Sequence, residues 1–162
     1  MARDCQPSMG GIVEMYAINR EHVDAISQED DKVFNITLKD AETFKKYAFA
    51  RNTGSMTSTY TIDPATGVRY VTTDLVLQFN RMETAKRVEI MALAQNELLL
   101  VVKDANGKYW VLGHDEPVMA TAGEGATGTA RSDRNGYSIT LQDTSLELPY
   151  EIDEEKFLAL VG

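Results

Sequence analysis

The chain has little cysteine and no long apolar run. Cys5 is the only cysteine among 162 residues, so an internal disulfide is excluded and a reducing cytoplasm is the expected site of synthesis. No stretch of 18 apolar residues occurs, which predicts no transmembrane helix. The N-terminus through Pro7 lacks the apolar core of a secretory signal. We therefore expect no association with a membrane.

Basic residues are also scarce. Sixteen Lys and Arg stand against 25 Asp and Glu, for a net charge of −9. Binding to phosphate depends on Lys and Arg, so the composition argues against a tight nucleic-acid site. Acidic clusters at 29–31 and 151–155 are either solvated faces or a lining that repels DNA passing without specific binding. The sequence leaves unknown which acidic residues would face such a lumen.

Catalytic and metal-binding patterns are weak. His114, Asp115 and Glu116 could ligate a metal, but three consecutive residues in a turn rarely converge on one ion. The segment 123–128 matches a dinucleotide fingerprint. That motif requires a helix directly after it, and the sequence that follows does not form one. We therefore predict no catalytic, metal or cofactor-binding residues, no cofactor, and no enzyme activity.

What the chain does have is strand-forming material. It is 43% hydrophobic, enough for a core, and its length predicts a single structural domain over residues 1–162. About nine strands are expected at the turn spacing of a sandwich or small barrel. Those outside the two hairpins described below are 10–18, 32–38, 43–50 (with a bulge, or else a short helix), 118–121, 137–141 and 146–152.

Three segments carry further expectations. Pro149 lacks a backbone N–H, so the strand 146–152 is expected at a sheet edge. Residues 19–29 are polar and are read as a solvated connection or a short helical turn over 20–26; the sequence assigns no role to residues 19–31. Residues 153–161 form a short tail, or a helical turn capped by Asp153.

A long projecting hairpin is predicted from about residue 55 to 79. Its arms are rich in Thr, Val and Tyr, which suit a pleated surface, and Asp63, Pro64 and Gly67 supply the turn. Arms of this length reach about 30 Å, more than a small domain needs internally. The hairpin is therefore expected to contact another subunit or ring through Thr59, Tyr60, Ile62, Val68 and Tyr70.

One helix and a second hairpin follow. Asn80 as N-cap and Glu83 three residues later predict a helix start, and Asn96 predicts its end. The apolar run 98–103 reads as a central buried strand, and Asn106-Gly107 turns it into a partner strand at 108–113. Residues 122–136 then form a flexible Gly/Thr-rich loop or a loosely paired arm.

The order of these elements resembles that of tailed-phage tail tube subunits and related neck ring proteins. The segments 107–113 and 128–141 are similar to structural proteins of phages of gut Bacteroidales, including crAss-like phages. The resemblance covers the C-terminal two-thirds of the chain. It implies a mainly β fold, a β-sandwich or half-barrel with one flanking α-helix and a projecting β-hairpin.

The resemblance also implies a function. Such subunits form hexameric or dodecameric rings by joining their β-sheets into a channel that conducts DNA. A virion location in the tail or neck would follow, with synthesis in the host cytoplasm and adjacent tail or neck proteins as partners. The alternative is a soluble β-sandwich binding module for a carbohydrate or protein ligand.

Overall fold

The structure is a computed structural model that describes residues 10–29, 32–39, 43–48, 54–80, 82–133 and 135–161. Its elements are eleven strands, a 3-10 turn at Arg20–His22 and two helices. The strands are β1 Ile12–Asn19, β2 Val23–Glu29, β3 Lys32–Leu38, β4 Lys45–Ala48, β5 Gly54–Asp63, β6 Val68–Asn80, β7 Leu98–Asp104, β8 Tyr109–Leu112, β9 Met119–Ala126, β10 Gly136–Ser145 and β11 Tyr150–Ile152; the helices are α1 Thr84–Gln95 and α2 Glu154–Val161.

The strands form two sheets. The larger sheet has seven strands in the order β2-β3-β11-β8-β7-β1-β4, and the smaller has four in the order β5-β6-β10-β9. The fold is mainly β, with the sheets packed together and one main helix, as the sequence predicts. A β-sandwich with one flanking helix is therefore confirmed.

The principal core lies between the sheets. Alternate residues of β1 and β7 in the larger sheet point into this core. Alternate residues of β6 and β10 in the smaller sheet point into it from the other side. We call the core-facing side of the four-stranded sheet its inner face; Leu75, Leu77, Ile139 and Leu141 mark it and are fully buried. The opposite side is its outer face.

A second apolar layer covers the other side of the seven-stranded sheet. Phe157 of α2 is fully buried there, and its ring meets that of Tyr16 at 4.8 Å and that of Phe44 at 5.4 Å between centroids. The run 98–102 is apolar on both faces because β7 lies between these two cores. Its predicted central position is confirmed.

Helix α1 closes one side of the sandwich. Leu93 enters the principal core and Ile90 packs against it, and Glu89 accepts a hydrogen bond from the Tyr47 hydroxyl of β4 at 3.0 Å and pairs with Lys45. The helix begins later than predicted. Asn80 ends β6, and Glu83 is the N-cap but makes no side-chain capping bond.

Three further predictions differ from the structure, the first and the last of them only in part. Residues 23–29 form an edge strand paired with β3 rather than a connection. Strand β11 lies inside the larger sheet between β3 and β8, because Pro149 immediately precedes the strand and need not donate within it. Residues 122–126 are the second half of β9, paired with β10, as the paired-arm alternative predicted, rather than part of a flexible loop.

Candidate assembly interface

The outer face of the four-stranded sheet carries no covering layer within the described part of the chain. Residues that lie directly opposite in an antiparallel pair share a face, so the register assigns this side residue by residue. It is dominated by hydroxyl and amide side chains, all at least partly exposed: Ser55, Thr57, Thr59, Thr61, Thr72, Gln78, Ser138, Thr140, Gln142 and Thr144.

The charges on this outer face are all negative. Asp63, Asp74 and Glu124 lie on it by register. Asp74 accepts a hydrogen bond from the Gln142 amide at 2.9 Å, and hydrogen bonds from Thr66 and from the Ala65 N–H lower the pKa of Asp63. The four strands, which are fully described, contain one basic residue, Arg69, and it lies opposite Ile62 on the inner side.

These acids are not the clusters that the sequence singled out. Glu151 lies on β11 of the other sheet and pairs with Lys108 at 3.7 Å, and residues 30 and 31 lie outside the described residues. Alternation along β6 could have identified Asp74, since buried Thr73 and Leu75 flank it. Glu124 was hidden in a segment read as a loop.

Both edges of the four-stranded sheet are open in the described structure. Strand β5 forms one edge and β9 the other, and neither has a second strand partner. All three pairings in the sheet are antiparallel, so the two edge strands run in opposite directions. Open edges expose backbone groups that readily pair with another chain.

The predicted hairpin is confirmed and its tip projects. Strand β6 pairs with β10 only as far as Val71, opposite Ser145, so the segment 61–70 extends as a two-stranded ribbon. The Gly67 N–H donates to the Asp63 carbonyl at 2.8 Å and Gly67 has a φ of 74°, which fixes the turn.

The five predicted contact residues do not share one surface. Tyr60 and Ile62 lie on the inner side of the ribbon, and Thr59, Val68 and Tyr70 lie on the outer side. All five are exposed, Tyr60 at 48% and Ile62 at 56%. The hairpin tip therefore offers one tyrosine to each side.

An apolar groove runs along the opposite edge of the sheet, between α1 and β9. Its volume is about 560 Å³, within the range of about 300–1,000 Å³ typical of binding pockets. The helix contributes Arg87, Ile90, Met91 and Ala94 to the lining, and Met82 and Tyr137 also line the groove. The remaining lining residues come from the sheet and are mainly small: Ala120, Ala122, Gly123, Glu124, Gly125 and Ile139.

A buried polar row separates the core from the hairpin tip on the inner face. Thr73, Asp143 and Ser145 are buried there, and Thr73 shares a hydrogen bond of 2.9 Å with Ser58. Burial raises the pKa of Asp143 to about 6, although the hydrogen bond from the Gly113 N–H acts to lower it. One carboxylate oxygen of Asp143 has no hydrogen-bond partner among the described residues.

The weak motifs of the sequence form no site in the part of the chain that the structure describes. Within the described residues, no three His, Cys, Asp or Glu side chains converge as a metal site would require, and Cys5 lies outside them. His114 occupies a bend, where burial lowers its pKa. The segment 123–128 runs from β9 toward β10, another strand, so the dinucleotide fingerprint lacks its helix.

Two further observations bear on binding. Tyr109 is buried in the second core layer, and half-buried Trp110 donates its indole N–H to Asp104 at 3.0 Å. Neither ring is therefore presented as part of an exposed aromatic platform. Of the helices that the structure describes, none combines the length and apolarity needed to cross a membrane.

Comparison of the chain with protein-family models, with curated proteins and with solved structures finds no match.

Proposed function

We propose that the protein is a ring-forming structural subunit that builds a channel by joining four-stranded sheets between copies. The observation that carries the proposal is the pair of open edges, β5 and β9, which run in opposite directions. When β9 of one copy meets β5 of the next, the junction is antiparallel like every pair within the sheet. A rotation that repeats this contact closes a ring and leaves no open edge.

The outer face fits the channel wall. In the four strands, all of them described, this face carries mainly hydroxyls, amides and carboxylates and no Lys or Arg. Rotational symmetry multiplies each carboxylate by the number of copies, and the resulting negative potential would keep a phosphate backbone from binding. The seven-stranded sheet, with its own apolar layer under α2, would then form the outside of the ring.

The more specific form of the proposal is a tail tube or neck ring subunit of a tailed phage, located in the virion and conducting DNA during ejection. It rests on the resemblance of the chain order and of segments 107–113 and 128–141 to such proteins. The projecting hairpin and the single main helix are consistent with it. Adjacent tail or neck proteins would be the other partners.

Light scattering and negative-stain microscopy of the purified chain test the proposal. Rings or tubes are the expected result, and a monomer at high concentration would overturn it. Proline at successive positions of β5, Thr57→Pro and Ser58→Pro, provides an internal control, because alternate amides of an edge strand point away from β6. Whichever variant retains the monomer fold should fail to form rings.

A soluble binding module is the alternative, and the groove beside α1 is the observation that favours it. A carbohydrate site would present aromatic rings on one surface, whereas exposed Tyr60 and Tyr70 face opposite sides of the hairpin. A stable monomer that binds glycans on an array, or a protein ligand through the groove, would select this alternative.

A further inference from the structure

The groove between α1 and β9 is open because its sheet side is built from small residues. Gly123 lies directly opposite Ile139 on the inner face, and a Cβ added at Gly123 would meet nothing closer than the Ser138 carbonyl oxygen at 3.7 Å. Above it, Arg87, Ile90, Met91 and Ala94 form one stripe of the helix. Met91 remains 44% exposed, so the groove can accept an apolar group.

The proposed ring brings a particular strand to this groove. Within one copy, Gly54 pairs with Leu77, Leu77 with Ile139, and Ile139 with Gly123, so these four residues lie in one row across the sheet. We call the displacement of a neighbour's β5 along β9, relative to this row, its slide. With no slide, only the first few residues of the neighbour's β5 would overlap β9. Strands in closed barrels are tilted and staggered, by about one residue per strand in a barrel of eight. Four strands per copy therefore imply a slide of about four residues.

Two constraints limit that slide. The inner faces of the two sheets must coincide, which requires an even number of residues, because a slide of one residue reverses the faces. The second constraint is overlap. The eight residues of β9 all lie within the length of the neighbour's β5 only when the slide is about three to six residues. Slides of four and six satisfy both constraints.

Both slides place the neighbour's Tyr60 opposite a residue that lines the groove. With the smaller slide, the neighbour's Tyr60 lies opposite Ala120, and with the larger it lies opposite Gly123. Ala120 and Gly123 both line the groove, and Tyr60 projects from the inner side of β5. A large ring therefore faces a small residue in either register.

We propose that the Tyr60 side chain of one copy occupies the groove between α1 and β9 of the next copy. The inference rests on the proposed ring and names the surface that receives one side of the hairpin. It divides the hairpin residues by role. Tyr60 binds within the ring, while Tyr70 lies on the outer face with the hydroxyl residues.

Cross-linking between matched cysteine pairs tests this assignment. In a Cys5→Ser background, Tyr60→Cys with Met91→Cys should give a ladder of covalent oligomers when assembled protein is treated with a short bismaleimide. The matched control is Tyr70→Cys with Met91→Cys, which replaces the same residue type on the opposite side of the hairpin. It should give little or no ladder.

The outcomes separate the two proposals. Rings that cross-link through Tyr70→Cys, or through neither pair, would overturn the Tyr60 assignment and leave the ring standing. A parent protein that stays monomeric would overturn both. Independently, Tyr60→Ser should raise the concentration needed for assembly by about tenfold, and Tyr70→Ser should change it by less than about twofold, whereas equal effects would contradict the assignment.

Discussion

Leu98 and Val118 exchange a pair of backbone hydrogen bonds, from the Leu98 N–H at 3.0 Å and from the Val118 N–H at 2.8 Å. Leu98 begins β7 of the larger sheet and Val118 immediately precedes β9 of the smaller. Gly113 lies against this bridge. Its φ is 89°, and an added Cβ would come within 2.7 Å of the Leu98 carbonyl oxygen.

The first prediction follows from that contact. Gly113→Ala should lower the free energy of unfolding by more than about 2 kcal/mol, since it combines a left-handed backbone with a steric clash against backbone. Gly107→Ala is the matched control, because Gly107 has a φ of 85° and open space around its Cβ position. It should cost about 1 kcal/mol in urea unfolding. Equal losses in the two variants would contradict the steric contribution.

The second prediction concerns Asp143. Its pKa is about 6 in the folded protein and about 3.9 in an unfolded chain, so the folded state holds the proton more tightly. Its contribution to stability is therefore full below about pH 4 and is lost as the pH rises toward 6. Asp143→Asn should make the protein about 2–3 kcal/mol more stable than wild type at pH 7.5.

Urea unfolding at several pH values between 4 and 7.5 measures this effect. The decline that Asp143 causes should be missing in Asp143→Asn and retained in Asp24→Asn, which alters an exposed carboxylate on β2. If Asp143→Asn and wild type have parallel pH profiles, the buried carboxylate is not responsible.

The third prediction tests the projecting ribbon. Replacing residues 61–70 with Asn-Gly places a two-residue turn between Tyr60 and Val71, which are already paired. The removed residues are at the surface, so unfolding should stay cooperative and the stability should change by less than about 1 kcal/mol. Ring assembly, measured by light scattering, should be weakened, because the edge that β5 offers to a neighbour loses Thr61, Ile62 and Asp63.

A control for this deletion addresses apolar surface in general. Leu146 and Leu148 are exposed at 69% and 54%, and changing both to Ser should leave assembly intact. Rings of normal size from the shortened hairpin would show that the ribbon is not part of the contact.

The fourth prediction concerns the outer face. Asp74→Lys should convert assembled rings into particles that retain short linear duplex DNA at low salt and release it as salt is raised. Asp24→Lys gives the same net charge on the other sheet and should not retain DNA in a gel-shift assay. Equal retention by both variants would indicate that net charge, rather than the outer face, governs binding.

Local chemistry made both hairpins predictable. Asp63, Pro64 and Gly67 turn the first, and Asp104 accepts hydrogen bonds from the Asn106 and Lys108 N–H groups in the second. Alternation of apolar residues likewise located β3 and β10. Turn geometry and face patterning depend on neighbouring residues, which a single sequence contains.

Elements that depend on distant partners were missed. The strand 23–29 has few apolar residues and is held by its pairing with β3. The Gly-rich half of β9 gains its structure from β10, where Gly125 makes room for the Tyr137 ring. The groove and Glu124 of the outer face were missed for the same reason, because both depend on the placement of β9.

The smaller sheet has an even number of strands, and evenness decides how copies can meet. With three strands or five, the two borders would point the same way, and every seam between copies would have to run parallel. With four, each seam repeats the up-and-down order already present inside a single subunit. Strand direction is therefore compatible with six copies as well as with twelve. The twist and curvature of the sheet would determine the diameter of the ring.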